Sequence, residues 1–215
     1  MPQMWGMLLF DAVVAIFVVA GWYFGWREVN RLRAEKVIHS IKLAVAGRAV
    51  VSPPYWHRPS RFDVELRFAS GFRQSWLRVE LTPREMPLSW LLAHLHKQPE
   101  QVTFRAELEH CPSGSLIIAK HQWYGFTSRS SPAPDDCYSL GSLVITTRED
   151  WQSETAIIEK ILAARSTAMI QAEFRKKAPH LLVTAPLSSL TADEDDAGLF
   201  GLLQELATCG TAQKD

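Results

Sequence analysis

The sequence predicts an α+β protein: a single N-terminal transmembrane helix continuing into an amphipathic helix, then a mostly antiparallel sheet with two or three packing helices. Three observations predict it. Residues 4–26 form one apolar run, several later segments alternate apolar and charged residues with period two, and strands cluster ahead of helices. The expected division is 1–26 anchor, 27–47 juxtamembrane helix, 48–210 body and 211–215 frayed tail.

Met4 to Trp26 holds 23 residues and a single charge, Asp11. As a helix it measures about 34 Å at about 1.5 Å per residue. A bilayer's hydrocarbon core is about 30 Å thick. Trp5 lies near one end and Trp22, Tyr23 and Trp26 near the other, resembling two aromatic belts. A cleaved signal peptide fits poorly, because the run lacks a positive n-region and ends in bulky aromatics. A core helix with almost no polar face would be unusual in a chain of 215 residues.

No Lys or Arg precedes the run, whereas Arg27, Arg31, Arg33 and Lys36 follow it. The positive-inside rule then predicts an inner (plasma) membrane protein with its N-terminus outside and its body in the cytoplasm. Three cysteines without tight spacing, Cys111, Cys137 and Cys209, suit a reducing compartment. Asp11 is the expensive residue of the run, since intramembrane carboxylates usually face protein. It is a partner-facing candidate. Gly21 and Gly25 form a small-xxx-small pair that permits close helix approach.

Residues 27–46 contain no Pro or Gly, and Ala34, Val37, Ile38, Ile41 and Val45 form one apolar stripe opposite Arg33, Glu35, Lys36 and Lys42. The stripe covers about two heptads, fewer than the three or four a coiled coil needs, so packing on the body is preferred to dimerisation. Gly47 is placed as a C-terminal cap.

Three prolines make Val51 to Pro59 a predicted loop. Phe62, Val64, Leu66 and Phe68 alternate with charged residues, as do Leu77, Val79 and Leu81 beyond a turn at 69–71, which predicts a hairpin. Val102, Phe104, Ala106 and Leu108 repeat the pattern, and strands are predicted again at 116–119 and 143–147. Residues 88–97 fit either element, with helix favoured by the spacing of Leu88, Leu91, Leu92 and Leu95 and by Ser89 near a cap position. Thr147 and Asp150 mimic a capping box ahead of a helix at 151–164. A hairpin is predicted from 168–175 and 181–184, against a competing helix at 166–177. The last helix begins after Thr191, its apolar stripe being Leu199, Leu202, Leu203 and Leu206, with Gly210 as terminator.

Lys plus Arg and Asp plus Glu are 23 each, so the chain carries no basic surplus for a nucleic-acid role. Phosphate-binding and nucleophile-elbow motifs are missing. On a strand His94 and His96 would face one way and could share a metal; on a helix they stand about 200° apart. Asp193 to Asp196 read as a helix start. No cofactor or metal is therefore expected. Of eight tryptophans, Trp76 and Trp151 are expected in the core, whereas Tyr55 and Trp56 are partner-facing candidates. The expected partners are membrane lipid and a membrane-protein partner or a second copy of the chain. The function this predicts is that of a non-catalytic accessory or scaffold protein of a membrane complex. The alternatives are a membrane-tethered enzyme or a small-ligand sensor, with His94, His96 and the Thr127–Asp136 loop as the enzyme's candidates.

Overall fold

A computed structural model describes residues 2–96, 99–112, 114–120, 136–140, 143–148, 171–190 and 199–211. A 43-residue helix, α1 (Pro2–Ala44), runs without a break from the apolar segment into the amphipathic one. Its apolar portion is long and apolar enough to cross a membrane, with mean hydropathy 1.8 and none of the window buried inside the protein. Further along the same helix, Ala34, Ile41 and Val45 are fully buried and Val37 and Ile38 pack beside them, so the predicted stripe does pack on the body. Gly47 follows at φ +79°, the left-handed geometry in which a Cβ would be strained.

The body is built on one antiparallel sheet. Its strands are β1 (Ala49–Val51), β2 (Tyr55–Arg58), β3 (Arg61–Phe68), β4 (Phe72–Glu80), β5 (Gln101–Leu108), β6 (Ser115–Lys120), β7 (Asp136–Leu140), β8 (Leu143–Arg148), β9 (Gln171–Phe174) and β10 (Leu181–Pro186). They lie in the order β1-β3-β4-β5-β10-β9-β6-β8-β7, with β2 also pairing β3. Register follows the alternation: Phe62 pairs Val79 and Val64 pairs Leu77, so both strands turn their apolar residues to one face. Gly71, at φ +88°, makes the turn between them. Among the described residues there follow α2 (Pro87–Leu95), a 3-10 turn at Leu187–Leu190 and α3 (Leu199–Thr211).

The core lies between one face of the sheet and the helices. Phe62, Leu77, Phe104, Phe174 and Val183 meet Ile41 and Val45 of α1, and Leu199, Leu202, Leu203 and Leu206 of α3, in one cluster. All four predicted α3 leucines are buried. The strand reading at 171–174 holds over the helix alternative, and β9 pairs β10 as the expected hairpin.

The structure corrects several expectations. The segment 51–59 is not all loop: Tyr55–Arg58 pairs with β3 as a short edge strand. Pro53, Pro54 and Pro59 flank it, where no ladder donor is needed. Trp76 is not in the core. It pairs Glu65 and Arg105 on the outer face and is 42% exposed, because the inward positions of β4 are Leu77 and Val79. Residues 88–97 contain a helix, as favoured, but Pro87 at its first turn starts it and Met86 is the uncapped N-cap, not Ser89. Thr147 does not cap a helix, since it lies in β8 paired with Leu116 and Asp136. The strand β7 was not anticipated, and Asp136 belongs to it. Helix α3 runs through Gly210 to Thr211, so Gly210 does not end it. The expected helix at 151–164, residues 127–135, Trp151 and Asp193 to Asp196 lie outside the described residues.

Facing positions on the two sides of the sheet should respond differently to truncation. Phe104 is fully buried against Phe68 and Phe72. Phe104→Ala is expected to cost about 3–5 kcal/mol. Trp76→Ala, on the open face, should change stability by no more than about 1 kcal/mol. Denaturant unfolding of the full chain in detergent micelles measures both.

Candidate functional site

The residues with the most specific geometry gather where α1 leaves its apolar segment and meets the body. Asn30 lies on the core-facing stripe of α1, one turn before Ala34, and is 1% exposed. A polar side chain at that depth requires a partner. Its Nδ2 donates to Glu85 Oε2 at 2.6 Å and to the Thr82 carbonyl at 3.4 Å. Glu85, 4% exposed, accepts at its other oxygen from Ser60 Oγ at 2.6 Å. One turn along α1 from Asn30, Arg33 Nη2 donates to Glu100 Oε2 at 2.7 Å, and Glu100 Oε1 accepts from Thr82 Oγ1 at 3.2 Å. Thus α1 is bolted by two polar contacts to the segment joining β4 to β5.

On one flank of α1 stands α2. Trp22 Nε1 donates to the Arg84 carbonyl at 2.9 Å. The Trp22 ring meets the Trp90 ring edge-on at 6.1 Å, and the Arg84 guanidinium lies 5.7 Å above the Trp26 ring. On another flank, α1 and the edge strand β2 enclose a groove of about 700 Å³. Tyr23, Phe24, Arg27 and Arg31 line it from the helix, and Trp56, His57 and Arg58 from β2. Arg31 pairs with Glu35. A second groove of about 520 Å³ lies between Arg33 and Val37 of α1 and Glu100 and Leu187 of the body.

Beside the first groove, the outer face carries a charge ladder. Arg78 grips Asp63 with two bonds of 2.8 Å, and His57 Nε2 lies 3.0 Å from the same carboxylate. The Arg78 hydrogen bond, with help from His57, holds the Asp63 pKa down at about 2, against the opposing effect of burial. Next along the sheet, burial and the neighbouring Arg78 lower the Arg105 pKa, and its Nε has no hydrogen-bond partner among the described residues.

The predicted candidates do not form one site. Trp56 lines the groove and packs at a tilt against Phe62, ring centroids 4.9 Å apart, while Tyr55 stands beside it, 67% exposed. Asp11 lies on α1 about 18 Å from Tyr23 at about 1.5 Å per residue, exposed on the apolar segment. Among the described residues, a Cβ placed on Gly21 or Gly25 would meet nothing within 4 Å. His94 stacks on Trp90, and His96 is the C-cap of α2, so the helix separates the two rings. Neither histidine lines either groove. No cluster of metal-ligating side chains occurs among the described residues. Sequence reasoning missed Asn30, Ser60 and Glu85. The available signal was Asn30 itself, a polar residue that continues an otherwise apolar stripe.

Two outcomes follow from these contacts. Glu85→Ala leaves the Asn30 amide and the Ser60 hydroxyl buried and unpaired, and should destabilise the body by about 1–3 kcal/mol, read by thermal unfolding in micelles. Asp63 has its pKa lowered from 3.8 to about 2. The unfolded chain therefore takes up this proton first as pH falls. The pair's contribution is complete above the unfolded value and is lost as pH falls through about 2. Asp63→Asn should be less stable than the parent at neutral pH, with the gap closing as the medium is acidified across that window.

Comparison with protein-family models and with curated proteins finds no match, so the geometry alone carries the functional argument.

Proposed function

We propose that the chain is a single-pass, membrane-anchored accessory or scaffold protein of a membrane complex, its N-terminus outside and its body on the cytoplasmic side of the inner membrane. The observation that carries this reading is the unbroken passage of α1 from an exposed apolar segment into the core of the body. A flexible tether would leave the body free to turn. Here the Asn30–Glu85–Ser60 cluster and the Arg33–Glu100 pair fix the body to the helix. A fixed body suits a component that sets the position of others relative to a bilayer. A removable leader is disfavoured because cleavage behind the apolar run would take away Trp22 and Trp26, which contact Arg84 and Trp90 of the body. Arg27, Arg31 and Arg33 support the orientation through the positive-inside rule.

Partner contact is assigned to two places. Asp11, about 15 Å along α1 from Gly21 at about 1.5 Å per residue, meets a polar group on another membrane helix, and the Gly21–Gly25 portion allows close approach of that helix. The aromatic groove at Trp56, with Tyr55 at its edge, receives a cytoplasmic segment of the partner or lipid headgroups.

Mild detergent extraction from native membranes followed by affinity capture tests the reading. Co-purification of a defined membrane protein, or of a second copy, is expected, with recovery reduced several-fold by Asp11→Asn. A lone monomer under every extraction condition would sink the accessory role. Protease digestion of a C-terminal tag from outside intact cells would overturn the orientation.

A further inference from the structure

A second feature faces away from the protein. Leu88, Leu91, Leu92 and Leu95 recur at i, i+3, i+4 and i+7 along α2, the spacing of one helix face. In a body surrounded by water that face belongs inside. Here it is the outward one: Leu88 is 77% exposed, Leu95 66%, Leu92 56% and Leu91 47%, with Met86 at 48% beside them. The residues turned to the protein are the less apolar set, Trp90 against Trp22 and the buried Ala93. Soluble surfaces rarely carry so concentrated an apolar patch.

Its position identifies what covers it. Trp90 meets Trp22, and the residue before Glu85 receives the Trp22 indole hydrogen bond. Trp22 and Trp26 belong to the aromatic end of the apolar segment of α1, the place where a spanning helix crosses the headgroup level. Helix α2 is thereby held at that level by contacts to the span itself. Arg84 completes the pattern, its guanidinium over Trp26 on the polar side of the belt.

We propose that α2 is an in-plane membrane helix, its leucine face lying in the boundary between headgroups and acyl chains, so that the body rests on the bilayer at a second point beside the span. This rests on the membrane-anchor reading of α1. The occupant is lipid; a partner protein or a second copy on the same face is the competing occupant. With α2 in the lipid boundary and Asn30, Arg33 and Trp22 fixing the segments that flank it to α1, rotation of the body about the span is prevented.

The test uses the full chain in vesicles of phosphatidylcholine and phosphatidylglycerol, some lipids bearing a nitroxide at a shallow acyl position. An environment-sensitive fluorescent amino acid replaces Leu91, or Arg73 on the exposed face of β4 as a control. Flotation of the vesicles reads the anchor; nitroxide quenching reads α2. The expected result is flotation of both proteins with several-fold stronger quenching at 91 than at 73. Adding L88S, L92S and L95S should reduce quenching at 91 to the control level, with flotation and circular dichroism unchanged. Flotation with equal quenching at 91 and 73 would overturn the proposal and leave the anchor standing. A blue-shifted but unquenched label at 91 would also overturn it, in favour of a protein occupant. Failure to float would overturn both readings.

Discussion

The fold depends on a buried carboxyl group being fully partnered. Glu85 lies out of water between the helix and the sheet, where an unpartnered carboxyl would cost several kcal/mol. Asn30 and Ser60 each donate to one of its oxygens. Asn30 comes from α1, Ser60 from the turn before β3, and Glu85 from the segment after β4. The three therefore satisfy one another only when helix, hairpin and connecting segment are in register. Apolar burial along Ala34, Ile41 and Val45 is non-directional and would tolerate sliding of α1 along the sheet. The hydrogen bonds do not tolerate it, and so they set where along the helix the body is attached.

That attachment point has consequences on both sides. Toward the amino end, one turn or two from Asn30, lie Trp26 and Trp22, which grip the Arg84–Trp90 region. Toward the carboxyl end lies Arg33, which closes on Glu100 and through it on Thr82. The segment between β4 and β5 is thus held to α1 at successive levels. Helix α2 is carried in that segment, so its height along α1 is fixed by the same contacts.

Much of this was legible in the sequence, for a definite reason. Where a segment has one buried face, the period of its apolar residues reports the element directly. Phe62 to Phe68, Val102 to Leu108 and the stripe Ala34 to Val45 each turn the expected residues inward. The reading failed where local pattern and tertiary position part. Prolines flanking Tyr55–Arg58 suggest a loop, yet an edge strand needs a partner on only one side. Trp76 looks like core by chemistry but occupies the outward position of β4, since register and not bulk chooses the face. The bond between Asn30 and Glu85 joins residues 55 apart, and no short window contains both.

Helix α2 marks a different boundary of sequence reading. Periodicity identifies which residues share a face, but the solvent decides which way that face turns. Leucines at 88, 91, 92 and 95 read as a helix in either case. In water the stripe turns to the core; at a lipid boundary it turns outward and the protein-facing side carries Trp90 and Ala93. Helix α1 obeys the same rule along its own length. Its apolar segment exposes Phe10, Ile16 and Phe17, and the continuation buries Ala34, Ile41 and Val45. Burial of one face of α1 begins at Asn30, while Leu32 and Leu43 stay exposed on another, and α2 meets α1 two turns earlier, at Trp22. Two apolar surfaces, that of α1 up to Trp22 and that of α2 along its length, thus meet at the Trp22–Trp90 contact, as one shared solvent boundary at that level would require.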